Sequence, residues 1–298
     1  MVWDKKKYNS PQNIKKSRFI NALKTERPCV MDQIPHLTDS TLQLNNRVAI
    51  LTFGRDDVRN ALTGTALICD ILKTASWVNA CQDVSVLIIT GAGKAFSAGG
   101  NIKDMANRTG DFAGDAAEIE RRYRTGIQQI PLAMEKIEVP VIAAVNGAAI
   151  GAGFDLANMA DMRFAAEDAK FGETFLNLGI IPGDGGAWFL QRQIGYQKAA
   201  ELTFTGRIIS AQEAFDMGLV LNVYPTAQLI PNTLDFAEKI AKQPPEATRR
   251  TKRLLKAANK MQLPEFLDFS ACFQGMCHNS AEHAAAMQAF IGNNGKDT

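Results

Sequence analysis

Apolar and polar positions alternate along TLQLNNRVAILTF (41–53) around Asn45-Asn46, and this pattern predicts a β-hairpin. Leu62 to Val78 changes to helical spacing. DVSVLIIT (83–90) and VPVIAAVN (139–146) are short continuous apolar runs, as in strands covered on both faces. Between them, Ala116 to Lys136 reads as helix with a charged outer face. Gly151 to Asp161 reads as a helix of small residues, and MRFAAEDAKFG (162–172) as strand and turn. Leu190 to Phe204 is a further helix. ISAQEAFDMGLV (209–220) has Ser210 as N-cap, Glu213 for a capping box and Gly218 as C-cap. Val223-Tyr224 is a short strand. From Ile230 onward the pattern is helical, with breaks near Pro244-Pro245 and Pro264. Strands alternating with helices, then a helical end, predict an α/β core (31–229) and a C-terminal helical region (230–298).

Composition narrows the function classes. A chain of 298 residues with 46% hydrophobic and 21% charged residues is ordinary for a globular protein. A net charge of +2 favours neither nucleic acid nor an anionic membrane as main partner. Five cysteines without a CxxC pair fit reduced thiols and a cytoplasmic location. His36, His278 and His283 lack zinc-site spacing, and no metal is expected. The run Val139 to Ala160 is interrupted by Asn146, Asp155 and Asn158, so no membrane span is expected. Residues 1–30 are basic and polar without a secretory h-region. They are expected as a disordered tail, or as sequence upstream of a start at Met31. An RNA-binding arm is the sharper alternative.

Two segments share one logic. VLIIT runs into GAGKAFSAGGNIKDM (91–105), and VIAAVN runs into GAAIGAGFDLANM (147–159). Each is a buried strand, then small residues, then a helix. Small residues let a ligand reach the main chain, and a helix start offers free N–H groups. Two such segments side by side can aim two N–H donors at one developing oxyanion. Neither is a complete GxGxxG, there is no P-loop, and Ser97 has no nucleophile elbow around it.

Five ordered blocks carry a family resemblance: RNALT (59–63), VLIITGAGKAFSAGGNIKDM (86–105), PVIAAVNGAAIGAGFDLANMADMRFA (140–165), FGETFLNLGIIPGDGG (171–186) and AAELTFTGRIISAQEAFDMGLVLNVYP (199–225). Over residues 41–290 the chain resembles the crotonase (enoyl-CoA hydratase/isomerase) superfamily. The resemblance implies a spiral of ββα repeats, a helical trimerisation region, an acyl-CoA thioester substrate and no cofactor beyond the CoA of that substrate. It also implies a homotrimer or a dimer of trimers. The oxyanion hole maps onto the N–H groups of Ala98 and Ala152. Val58, Ala61, Ala95 and Ile102 fall where the family cradles CoA, with Gly99, Asn101, Gly151 and Phe175 in the same substrate-binding set.

The departures decide which reaction to expect. The first hydratase Glu is Asp155 here, one methylene shorter, and the second falls on Phe175. Asp184 is the local candidate to compensate, with a loop-capping turn as its bland alternative. Glu173 is expected to cap a helix or pair with an Arg. Trp188, Phe189 and Phe175 hint at an aromatic pocket wall. The family's usual Asp after the first oxyanion loop is Asn101, and the basic C-terminal tail is absent. The leading expectation is hydration of a 2-enoyl-CoA by Asp155 and Asp184. Double-bond isomerisation is the close alternative, and a non-catalytic CoA- or RNA-binding protein the distant one.

Overall fold

The computed structural model describes residues 34–294, so the expectations for residues 1–30 and a start at Met31 lie outside the described residues. Strands β1 (Ser40–Asn45) and β2 (Val48–Phe53) pair antiparallel as a hairpin. The turn is Asn46-Arg47, one residue later than the sequence suggested, and both residues have positive φ, +47° and +68°. That pair of conformations matches the right-handed twist of the flanking strands. Helix α1 (Leu67–Ala80) begins five residues later than its periodicity implied. The preceding backbone is used elsewhere: Leu62 N–H donates to the Gly99 carbonyl at 2.7 Å.

The ββα repeat is visible in the strand partition. β3 (Val86–Gly91), β5 (Val141–Val145) and β7 (Met162–Ala166) run parallel within a six-stranded sheet ordered β1-β2-β3-β5-β7, with a last short strand at its edge. Each is followed at once by a three-residue strand of a second sheet: β4 (Ala95–Ser97), β6 (Ala148–Ile150) and β8 (Lys170–Gly172). After β4 comes α2 (Ile102–Asn107), and after β6 comes α5 (Ala152–Asn158). Each repeat thus delivers a loop and a helix start to the same edge. β3 and β5 are buried along their whole length, as their unbroken apolar runs require.

The long helices read from periodicity are divided. Ala116–Lys136 is α3 (Ala116–Thr125) and α4 (Gln129–Lys136), broken at Gly126. Leu190–Phe204 falls in α6 (Gly186–Ile194) and α7 (Tyr196–Thr205), hinged at Gly195 with φ +80°. β9 (Ile208–Ser210) joins the small sheet, α8 (Ala211–Asp216) follows, and β10 (Asn222–Tyr224) is the edge strand of the large one. Ser210 caps α8 as expected, accepting from Glu213 N–H at 3.2 Å. The Glu213 carboxylate pairs with Arg207 at 2.7 Å.

Helices α9 (Leu229–Ala241), α10 (Pro245–Ala258), α11 (Leu263–His278) and α12 (Ala281–Asn294) complete the chain. α10 is bound to the core by two buried cations. Arg249 donates to the carbonyls of Val78, Cys81 and Val84 at 2.9–3.3 Å. Lys252 reaches Asp161 at 2.6 Å and the Val139 carbonyl at 2.7 Å. On β7, the buried Arg163 donates to the Leu219, Ala157 and Ala160 carbonyls and to Gln193. No helix among the described residues is long and apolar enough to cross a membrane.

Candidate active site

The loop after β4 is held by a nearly complete set of hydrogen bonds. Asn60 is fully buried, adopts φ +54°, and donates its amide to the Ala92 and Ala95 carbonyls at 3.0 and 2.8 Å. The Asn60 carbonyl accepts from Ser97 Oγ at 2.8 Å, and Gly99 N–H donates to Ser97 Oγ at 3.1 Å. Ala98 N–H donates to the Arg59 carbonyl at 2.9 Å, and Asn101 N–H to Thr63 Oγ1 at 2.7 Å. Buried backbone donors are paired as a rule. Within 98–101 that leaves Gly100 N–H, which meets no partner among the described residues. Across the gap, Gly151 N–H donates to the Gly172 carbonyl at 2.8 Å, while Ala152, the first residue of α5, has its N–H free of such a bond.

Ala98 is therefore corrected as an oxyanion donor: its N–H is committed to Arg59, and the unpaired donor on that loop is two residues on. The two loops approach closely because Gly99 has no side chain. A Cβ there would lie 2.6 Å from the Ile150 carbonyl oxygen and 2.9 Å from Ala152 N.

Gly100 and Ala152 line one cavity of about 40 Å³, together with Phe175, Tyr123 and Asp184. It adjoins a larger groove of about 820 Å³ between α2, α3 and the 178–183 loop, with Met105, Phe112 and Tyr123 common to both. Ile102 rims the groove. Val58, Ala61 and Ala95 lie outside the lining of both spaces. Their backbone groups serve the loop clamp: Ala61 N–H donates to the Val58 carbonyl, and the Ala95 carbonyl accepts from Asn60. Asn101 caps α2, accepting from Lys103 N–H at 3.0 Å. Trp188 and Phe189 pack edge to face with each other rather than lining the cavity.

Three carboxyls meet at the cavity wall. Asp184 is 3% exposed, while Asp155 and Glu173 are fully buried. Asp184 lines the cavity, whereas Asp155 is fully buried and is not among the lining residues. Glu173, expected at a helix cap or beside an Arg, does neither. Both carboxylate oxygens of Asp155 and of Glu173, and Oδ1 of Asp184, find no donor among the described side chains. Asp155 nevertheless lies within hydrogen-bonding contact of both other carboxyls. Three adjacent carboxylates cannot bond to one another, whereas a proton on one of them supplies the missing donor. Burial, then the charges of Asp184 and Glu173, push Asp155 well above the usual carboxylate range, so it holds that proton. Burial raises Glu173 to about 7 and also raises Asp184. Gly186 makes room for the cluster: a Cβ there would sit 2.2 Å from Asp155 Oδ1 and 2.4 Å from Glu173 Oε1.

The enoyl-CoA hydratase/isomerase family model matches residues 43–295. The chain belongs to the enoyl-CoA hydratase/isomerase family. It is 35% identical over 252 residues to a probable mitochondrial enoyl-CoA hydratase of Dictyostelium discoideum, covering 85% of this chain and 87% of that one. It is 34% identical to a crotonyl-CoA hydratase of Syntrophomonas wolfei, over 84% of this chain and 94% of the relative. The enoyl-CoA hydratase structure from Bacillus anthracis superposes with a TM-score of 0.80 at 32% identity, over 86% of this chain and 97% of that one. The enoyl-CoA hydratase/isomerase fold expected from the five sequence blocks is thus the observed one, and this family member is an enzyme of the enoyl-CoA hydratase type.

Proposed function

We propose that this protein hydrates a 2-enoyl-CoA, with the thioester oxygen held by the N–H groups of Gly100 and Ala152 and with Asp184 as acid–base group. The observation that carries the reading is that both unpaired donors and the buried Asp184 carboxyl line the same small cavity. The acyl end occupies that cavity, and the CoA moiety extends along the groove past Ile102. As the water oxygen bonds to Cβ, the Asp184 carboxylate takes a proton from it. The C=C electron pair moves toward the thioester, and the two N–H donors stabilise the enolate oxygen. Asp184 then returns a proton to Cα, so the acid ends as it began. No further cofactor enters this scheme. Purified protein is expected to convert crotonyl-CoA to the 3-hydroxyacyl product, and Asp184→Asn to lose on the order of 10²–10⁴-fold in rate. Full turnover by Asp184→Asn would sink this assignment.

Double-bond isomerisation is the second reading, favoured by Phe175. It stands where the resemblance places a second acid, so Asp184 is the one buried carboxyl in the wall; Asp111, also lining the cavity, is exposed. Turnover in ¹⁸O-water separates the two, because only hydration places solvent oxygen in the product. Assembly as a homotrimer or a dimer of trimers is supported by exposed apolar residues of α11 and α12, among them Leu263, Leu267, Phe290 and Ile291. Sedimentation velocity is the test. The cysteine pattern supports a cytoplasmic location.

A further inference from the structure

We propose that Asp155 and Glu173 are positioning residues for Asp184: the three carboxyls form a chain, Glu173–Asp155–Asp184, in which Asp155 holds a proton between its neighbours and the charge on Glu173 decides whether that proton's hydrogen bond is aimed at Asp184. The inference rests on the reading of Asp184 as the acid–base group.

Geometry carries it. Asp155 comes from the first turn of α5, Glu173 from the residue after β8, and Asp184 from the loop before α6. Asp155 Oδ1 and Glu173 Oε1 crowd the same point at the first residue of α6, where only a glycine fits. None of the ion pairs among the described residues includes any of the three. The groups that act on Glu173 are the other two carboxyls, and Asp184 also faces the Tyr123 phenol, which burial and the Asp184 and Asp111 charges push up. A purely structural cluster would carry outside donors for its buried oxygens; among the described residues five of these oxygens have none.

An O–H donates one hydrogen bond. With Glu173 protonated, Glu173 donates to Asp155 and Asp155 donates to Asp184, which is held as an oriented carboxylate. With Glu173 ionised, two carboxylates compete for the Asp155 proton, and Asp184 loses its fixed donor. Burial pushes Glu173 up to about 7, so this change falls within the working range of most enzymes. A residue that never touches substrate thereby shapes the pH dependence of the reaction.

The test pairs a kinetic with a spectroscopic readout. The pH–rate profile of the wild type on crotonyl-CoA is expected to show a descending limb near neutrality. In Glu173→Gln the amide donates to Asp155 at every pH, so that limb is expected to disappear, leaving the rate at pH 8 within about twofold of that at pH 6, against a fall on the order of tenfold in the wild type. Infrared difference spectra at pH 8 are expected to show a protonated-carboxyl C=O band that is missing in Asp155→Asn; this readout needs no turnover. A Glu173→Gln profile superimposable on the wild type overturns the proposal, as does a band unchanged in Asp155→Asn. If either occurs while Asp184→Asn is inactive, the chain is wrong and the Asp184 reading stands. Full activity in Asp184→Asn removes both.

Discussion

Arg163, Arg249 and Lys252 are buried, and so are Asp155, Glu173 and Asp184, yet their surroundings are opposite. Each cation is fitted with acceptors: four for Arg163, three carbonyls for Arg249, a carboxylate and a carbonyl for Lys252. Burial still lowers Arg163 to about 10 and Lys252 to about 8, but the charges have partners. Among the described residues the acids meet one another and no cation. Buried charge without partners is costly, so a fold does not keep it for stability. The paired cations hold helices to sheets; the unpaired acids sit where one of them reaches a cavity. Satisfaction of the group, more than its burial, separates scaffold from chemistry here.

The sharpest break in this comparison comes from removing one member of each set. Asp184→Asn should lower kcat/KM by about 10²–10⁴-fold while urea denaturation shows stability unchanged or higher. Arg249→Met should do the reverse. It removes the side-chain donor to the Val78 and Val84 carbonyls, each costing about 1–3 kcal/mol if left unpaired, and kinetics measured on the folded fraction should be near normal. If Arg249→Met altered the pH–rate profile, or Asp184→Asn unfolded the protein, the division would fail.

Gly186→Ala tests the packing of the acid cluster. The added methyl has no space between Asp155 and Glu173, and overpacking of this kind costs about 1–3 kcal/mol. Activity should fall with it, read by parallel thermal melts and turnover. The smallest effect expected is in Glu173→Gln. The folded-state pKa of Glu173 is raised to about 7, above its unfolded value. Its ionisation therefore opposes folding, with no penalty below the unfolded pKa and a growing one as pH rises toward 7. Glu173→Gln should melt a few degrees above wild type at pH 8, with the difference vanishing near pH 4. A constant difference across that range would mean that Glu173 is not the group being relieved.

Much of this was legible in the chain. The buried runs of β3 and β5, the Ser210 N-cap of α8 and the paired small-residue loops each follow from local pattern and appear where expected, whereas the C-cap of α8 is Met217 rather than Gly218. The helix breaks at Gly126 and Gly195 were missed because apolar spacing continues across them, while backbone conformation does not. The shift from Ala98 to Gly100 needed a hydrogen-bond account that includes Arg59, nearly forty residues away in the chain. Glu173 was misread for a similar reason. Its neighbours Asp155 and Asp184 are distant in sequence, and only the fold shows that no ion pair among the described residues includes it.

The clamp on residues 98–101 has a further consequence. Both donors aimed at the cavity belong to the main chain, so side-chain replacement leaves them in place provided Gly99 keeps the two loops together. In the proposed mechanism carbonyl activation is thereby separated from proton delivery. On the proposed reading the acids around it can differ in position, and Asp184 on another loop serves where the resemblance places an acid at Phe175. A scaffold working in the proposed way can change its reaction by relocating a single carboxyl while its hold on the thioester is undisturbed.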